Sequence, residues 1–235
     1  MQYVVYIYRW IVAIAIFSLI AALVFIGMIF YPPQQIVILI RPLCRLILRS
    51  IGVRVKVTGL DKFDHTKSYL IICNHESLLD AFICPGYIPL FFSVLELVDH
   101  FSWPIWGKMT TRWGNIPVAR GSLKETIQSM DRAREALNRG TSILIFPEGQ
   151  RTVTGKMNRF RRGAFYLAKN AKTDILPIGT KGLYLAKTRG DWRVRSMNVN
   201  FNFGEPYLYE DYKHLSIDEL REWANDRIRK LKDNF

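Results

Sequence analysis

From Trp10 to Tyr31 no residue carries a charge. A bilayer is crossed by about 20 consecutive apolar residues in a helix, so this stretch is long enough to span. A cleaved secretory signal would have a shorter apolar core and small residues at a cleavage site. Here Tyr31, Pro32, Pro33, Gln34 and Gln35 follow instead. A second apolar stretch, Ile36 to Ile51, carries Arg41, Arg45 and Arg49. Spaced four apart, they line one helix face, and an apolar helix with such a face suits the membrane interface. Arg9 precedes the first stretch, whereas Arg41, Arg45, Arg49, Arg54 and Lys56 follow it. If the first helix spans, the positive-inside bias puts the rest of the chain in the cytoplasm; a re-entrant helix pair puts it there too. Residues 1–51 are therefore expected to be membrane-anchoring helices.

Beyond Gly52 short apolar runs alternate with helical patterns. Strands are expected at Tyr69–Cys73, Phe91–Leu95, Asn115–Val118, Ser142–Phe146, Asp174–Ile178 and Met197–Phe203. Helices are expected from about Ser77, over Ser122–Arg139 with Ser122 as N-cap and Gly140 as C-cap, over Arg159–Lys172 and over Ile217–Leu231. Strands alternating with helices specify an α/β domain over 52–235, with a mixed, largely parallel sheet flanked by helices and preceded by the N-terminal membrane-associated helices. The formal net charge is +13, which fits an anionic partner: nucleic acid, an anionic membrane or a phosphorylated substrate. The three cysteines, Cys44, Cys73 and Cys84, form no C-x-x-C pair, so neither a disulfide framework nor a zinc site is expected.

Ligands of such sheets gather at the carboxyl ends of the strands. After Tyr69–Cys73 comes Asn74-His75-Glu76-Ser77-Leu78-Leu79-Asp80. With Ser77 as N-cap, Asp80 is the N3 residue, whose carboxylate reaches back towards the helix start. His75 lies in that direction. A carboxylate on one ring nitrogen fixes the tautomer and leaves the other free to take a proton; alternatively Asp80 only caps the helix and His75 is a turn residue. His65, His100 and His214 are expected at the surface. There is no G-x-S-x-G elbow, phosphate loop or G-x-G-x-x-G. After Ser142–Phe146 comes Pro147-Glu148-Gly149-Gln150-Arg151-Thr152, a turn in which Gly149 permits close backbone approach and Arg151 suits phosphate. Lys156, Arg159, Arg161 and Arg162 add a basic cluster, and Arg120 is a further candidate phosphate contact.

Together these blocks resemble the glycerolipid acyltransferase family, whose best-known members are the 1-acylglycerol-3-phosphate acyltransferases. The likeness covers about residues 53–206. It rests on Asn74, His75 and Asp80; on Gly114-Asn115-Ile116-Pro117-Val118-Ala119-Arg120; on Phe146-Pro147-Glu148-Gly149-Gln150-Arg151-Thr152; on Ile175-Leu176-Pro177-Ile178-Gly179; and on the basic run from Phe160 to Phe165. Pro117, Ala119 and Gln150 depart from the family's usual residues, and a basic pair common near Val94 and Leu95 is absent. The resemblance implies that His75, oriented by Asp80, deprotonates the hydroxyl of a lysophospholipid, which then attacks an acyl thioester. It makes Asn74, Gly114, Arg120, Glu148, Gly149 and Arg151 substrate-binding, with backbone amides near a helix start as an oxyanion site. It implies no metal and no bound cofactor; acyl-CoA or acyl-carrier protein is the co-substrate, membrane lipids are the partners, and nucleic acid is not. Rival readings are another acceptor, such as a lyso-ornithine lipid, a basic membrane- or nucleic-acid-binding module, and a lipid hydrolase.

Overall fold

A computed structural model describes residues 2–119 and 123–233. Two helices lead: α1, Gln2–Phe30, and α2, Pro33–Ser50, with Pro33 at its first position, where the missing N–H costs nothing. Then come β1 (Val53–Thr58), β2 (Leu70–Cys73), α3 (Asp80–Tyr87), β3 (Phe92–Leu97), α4 (Trp106–Trp113) and β4 (Ile116–Val118). The second half runs α5 (Leu123–Asn138), β5 (Ser142–Ile145), α6 (Gly163–Ala171), β6 (Ile175–Lys181), α7 (Leu183–Ala186), β7 (Met197–Phe203), α8 (Tyr209–Tyr212) and α9 (Ile217–Asp233).

The strands form one sheet in the order β1-β7-β6-β2-β5-β3-β4. All neighbours are parallel except β6 and β7, in keeping with the alternation of strands and helices along the chain. The apolar runs of β2 and β5 are buried along their whole length, the pattern of parallel strands covered on both faces. Successive side chains point to opposite faces. Ile71 and Cys73 therefore join the core with α3 and the end of α2, while Leu70 and Ile72 join the core with α5, α6 and α9. The central strand β2 thus delivers Asn74 and His75 to the middle of the sheet's carboxyl edge.

Several expectations need correction. β1 was not anticipated, although Val53-Arg54-Val55-Lys56-Val57-Thr58 alternates with period two; α4 was not anticipated either. α6 begins at Gly163 rather than Arg159, because Arg161 N donates to Pro147 O at 2.8 Å and Asn158 N to Glu148 Oε2 at 2.6 Å; these long-range bonds hold 158–161 as a loop. Arg41 and Arg45 of α2 reach carbonyls of the protein itself. Arg41 donates to the carbonyls of Pro89 and Leu90 (2.5 and 3.1 Å) and Arg45 to Gly86 O (2.6 Å), satisfying carbonyls at the end of α3. His100 is half-buried on Glu96 (2.9 Å), whereas His65 and His214 are exposed. Ser122 and Arg120 lie outside the described residues.

α1 is 29 residues long, about 43 Å at 1.5 Å per residue. One face packs on α2 and α4 through Ile20, Ala21 and Val24. The other exposes Val4, Ile7, Ile11, Ile14, Ile26 and Ile29, each more than half accessible. An apolar face of this extent matches a bilayer rather than water, and the chain is membrane-associated.

Candidate active site

His75 sits in the turn between β2 and α3. Its Nδ1 lies 2.7 Å from Asp80 Oδ2. The same oxygen accepts the backbone N–H groups of Glu76 and Ser77, each at 2.9 Å. An oxygen that already accepts two amides is the acceptor here too, so His75 Nδ1 carries the hydrogen in this pair and Nε2 keeps its lone pair. Among the described residues Nε2 has no hydrogen-bond partner, and the ring is about a quarter accessible. Phe146 stacks against it, centroids 4.1 Å apart and planes at 19°. The arrangement is a positioned base with its free nitrogen towards solvent.

Asp80 reaches back as its position predicted, but Ser77 does not cap the helix. Its hydroxyl donates instead to Lys187 O at 2.8 Å, and α3 starts at Asp80 itself. The amides of Glu76 and Ser77, in the turn ahead of the helix, are committed to Asp80, so these two are not free for an oxyanion.

The loop after β5 clamps His75 from both sides of its backbone. His75 N donates to Glu148 Oε1 at 2.7 Å, and Thr152 N donates to His75 O at 2.9 Å. The other Glu148 oxygen accepts Asn158 N. Glu148 is 3 % accessible; burial raises its pKa, while the amides of Asn158 and His75 pull it the other way. With each oxygen accepting a backbone amide, Glu148 positions the turn that carries the base. Asn74 is equally internal, donating to Thr180 O (2.9 Å) and accepting Thr180 N (2.7 Å), which ties β2 to β6. Gly114, too, is misplaced by the expectation. It ends α4 ahead of β4, and β4 meets β3 with Ile116 opposite Leu95, so Gly114 lies back from the carboxyl edge. Arg120 is outside the described residues.

Gly149 has φ +71°, and a Cβ there would stand 2.6 Å from Arg161 Nε. Left-handed backbone costs an L-residue about 1–2 kcal/mol. Gly149→Ala should lower stability by at least about that much and reduce acyl transfer by displacing Arg161; urea unfolding of the two proteins checks the first part. Arg151 is half-buried, and among the described residues it makes no hydrogen bond or ion pair.

Sequence reasoning missed two further residues. Glu76 is 2 % accessible; its Oε2 accepts Gly182 N (3.0 Å) and Tyr184 N (3.1 Å), and its Oε1 meets Lys232 Nζ at 2.9 Å. Gly179 makes this contact possible, because a Cβ there would lie 2.6 Å from Leu231 Cβ and from Lys232 N. A glutamate beside a candidate histidine was a visible signal, but its partner on α9 was not.

A family model described as Acyltransferase matches residues 54–181. The chain belongs to the acyltransferase family. Among similar proteins, this acyltransferase is 31% identical over 190 residues to the 1-acyl-sn-glycerol-3-phosphate acyltransferase of Pseudomonas aeruginosa, covering 77% of this chain and 71% of that one. It is 31% identical over 202 residues to 1-acyl-sn-glycerol-3-phosphate acyltransferase alpha of Mus musculus, covering 75% and 67%. The corresponding Cocos nucifera protein is 26% identical over 76% of this chain, which spans 58% of the plant protein's length. The fold is that of the 1-acyl-sn-glycerophosphate acyltransferase PlsC from Thermotoga maritima, with a TM-score of 0.83 over 97% of this chain and 94% of that one at 17% identity.

Proposed function

We propose that this acyltransferase moves a fatty acyl chain from acyl-CoA or acyl-carrier protein to the sn-2 hydroxyl of 1-acyl-sn-glycerol-3-phosphate, making phosphatidic acid. The observation that carries the reading is the His75–Asp80 pair at the sheet edge, with Nε2 and the nearby Arg151 both without a hydrogen-bond partner among the described residues, in a chain whose relatives bear that name. His75 Nε2 takes the hydroxyl proton as the oxygen attacks the thioester carbonyl. Asp80 stabilises the imidazolium. The tetrahedral intermediate collapses, the C–S bond breaks, and the thiolate recovers the proton from His75. Arg151 holds the phosphate, as does Arg120. Asn74, Glu148 and Gly149 keep the turn and loop in place. Neither metal nor bound cofactor enters this scheme. The catalytic domain stands on the cytoplasmic face.

Pro117, Ala119 and Gln150 favour a second reading, the same chemistry on another lysolipid. The experiment is acyl transfer by the protein in vesicles, with lysophosphatidate and a panel of lysolipids offered against both donors. Transfer to lysophosphatidate is expected. Transfer confined to another lysolipid would move the acceptor, and none with any pair would sink the reading.

A further inference from the structure

The segment between α7 and β7 carries Lys187, Arg189, Arg193 and Arg195 against one acid, Asp191. Asp191 is already taken, by Arg193 Nε at 2.9 Å and Arg195 Nη2 at 2.6 Å. Lys187 Nζ is bound to the carbonyls of Thr188 and Asp191. Arg189 is exposed and, among the described residues, makes no hydrogen bond or ion pair. This strap is fixed to the catalytic turn by Ser77 Oγ on Lys187 O and to α7 by Arg195 N on Ala186 O at 2.8 Å. Arg151 stands on the other segment that holds this turn: the next residue, Thr152, donates its N–H to His75 O. Burial lowers the pKa of Arg151, the charge of Arg189 lowers it further, and Asp80 opposes both. Two guanidiniums on segments that meet at one turn repel each other, and a dianion between them relieves that repulsion.

The strap's other end is pinned to the start of α1. Trp192 stacks on Tyr3 (centroids 6.1 Å) and meets Tyr6 edge-on (5.9 Å). Trp10 Nε1 donates to Trp192 O at 2.7 Å. Arg9 donates to Val194 O (2.7 Å) and Ser196 Oγ (2.5 Å). Tyr3 is well exposed and Trp192 about half so, and aromatic rings of this kind settle at the head-group level of a bilayer.

We propose that Arg189 is a phosphate-binding residue of the acceptor site. With Arg151 it clamps the phosphate monoester of a lysolipid, on a strap that the Tyr3–Tyr6–Trp192 cluster holds at head-group depth. The inference rests on the lysophosphatidate reading above. Arginine forks match phosphate geometry bidentately, and in a glycerol phosphate the free hydroxyl is only a few bonds from phosphorus. The anion must therefore be held near His75, and the strap that carries Arg189 touches the same turn at Ser77.

The test is equilibrium binding of a short-chain lysophosphatidate to the full chain in detergent, in a His75→Ala background so that no turnover intervenes. Adding Arg189→Gln is expected to weaken binding about 10- to 100-fold. Arg229→Gln, the same charge removed on α9, is expected to leave it unchanged, and binding of a neutral monoacylglycerol should not respond to either. In the otherwise unmodified protein, Arg189→Gln should raise KM for lysophosphatidate while KM for acyl-CoA stays constant. The proposal is overturned if Arg189→Gln behaves like Arg229→Gln, if the loss falls on acyl-CoA or equally on the neutral lipid, or if the parent binds no lysophosphatidate. A protein that binds lysophosphatidate through Arg189 but transfers no acyl chain to it would overturn the proposed function alone.

Discussion

Replacing His75 with alanine is expected to lower kcat for acyl transfer by about 10²–10⁴-fold, the range a positioned general base contributes, with little change in stability. The turn survives the substitution because Asp80 Oδ2 keeps the amides of Glu76 and Ser77. The backbone clamp from Glu148 and Thr152 does not involve the ring. Only proton transfer is lost, so acceptor binding should persist in the variant. Asp80→Asn should behave differently. An asparagine keeps the three donors only by putting its oxygen in place of Oδ2, which leaves its NH2 buried where Oδ1 has no partner, and it brings no charge to hold the imidazolium, so both stability and rate fall. Steady-state rates alongside thermal unfolding of both variants separate the cases. Near-parental turnover in His75→Ala would refute the mechanism.

The second large effect is structural in origin and remote from the base. Lys232→Met removes the partner of a buried carboxylate. Breaking one side of such a pair costs about 3–5 kcal/mol, a fall in unfolding temperature of about 10 °C for a chain of this size. Burial already raises the pKa of Glu76 above its ordinary 4.5, and Lys232 opposes that shift. Taking Lys232 away raises it further. A carboxylate whose folded pKa is raised binds its proton more tightly in the folded state. Its contribution is therefore fully present below about 4.5 and is lost as pH rises through the folded value. The deficit of Lys232→Met should accordingly be largest near neutrality and shrink towards pH 5. Because Glu76 is the residue next to His75, the variant should also lose about 100-fold in kcat through misplacement of the base. A deficit that does not vary with pH would show that the pair is not the cause.

The parts of this site that could be read from residues are those fixed locally. The apolar run of β2, the turn after it and an acid near the helix start together place Asp80 on His75, and the structure has that pairing, with Asp80 first in the helix and not third. The parts that could not be read depend on distant chain segments. Nothing near Glu148 signals that its oxygens end on the amides of residues 75 and 158. Nothing near Glu76 points to α9. The arginines of α2 show a further limit: a polar stripe on a helix records that it has partners, not whether they are water, phosphates or the carbonyls of α3. β1 is the opposite case, since its alternation is plain in the residues themselves and needs no distant partner to be seen.

The Glu76–Lys232 contact also sets an order of events during synthesis. Chains emerge amino end first, at about 5–20 residues per second, so α1 reaches the bilayer while α9 has yet to be made. The turn that carries the base is braced only once residue 232 has docked beneath Gly179. Membrane entry and catalytic competence are therefore separate steps in the life of each molecule, and a nascent chain already seated in lipid lacks the brace that aligns its base.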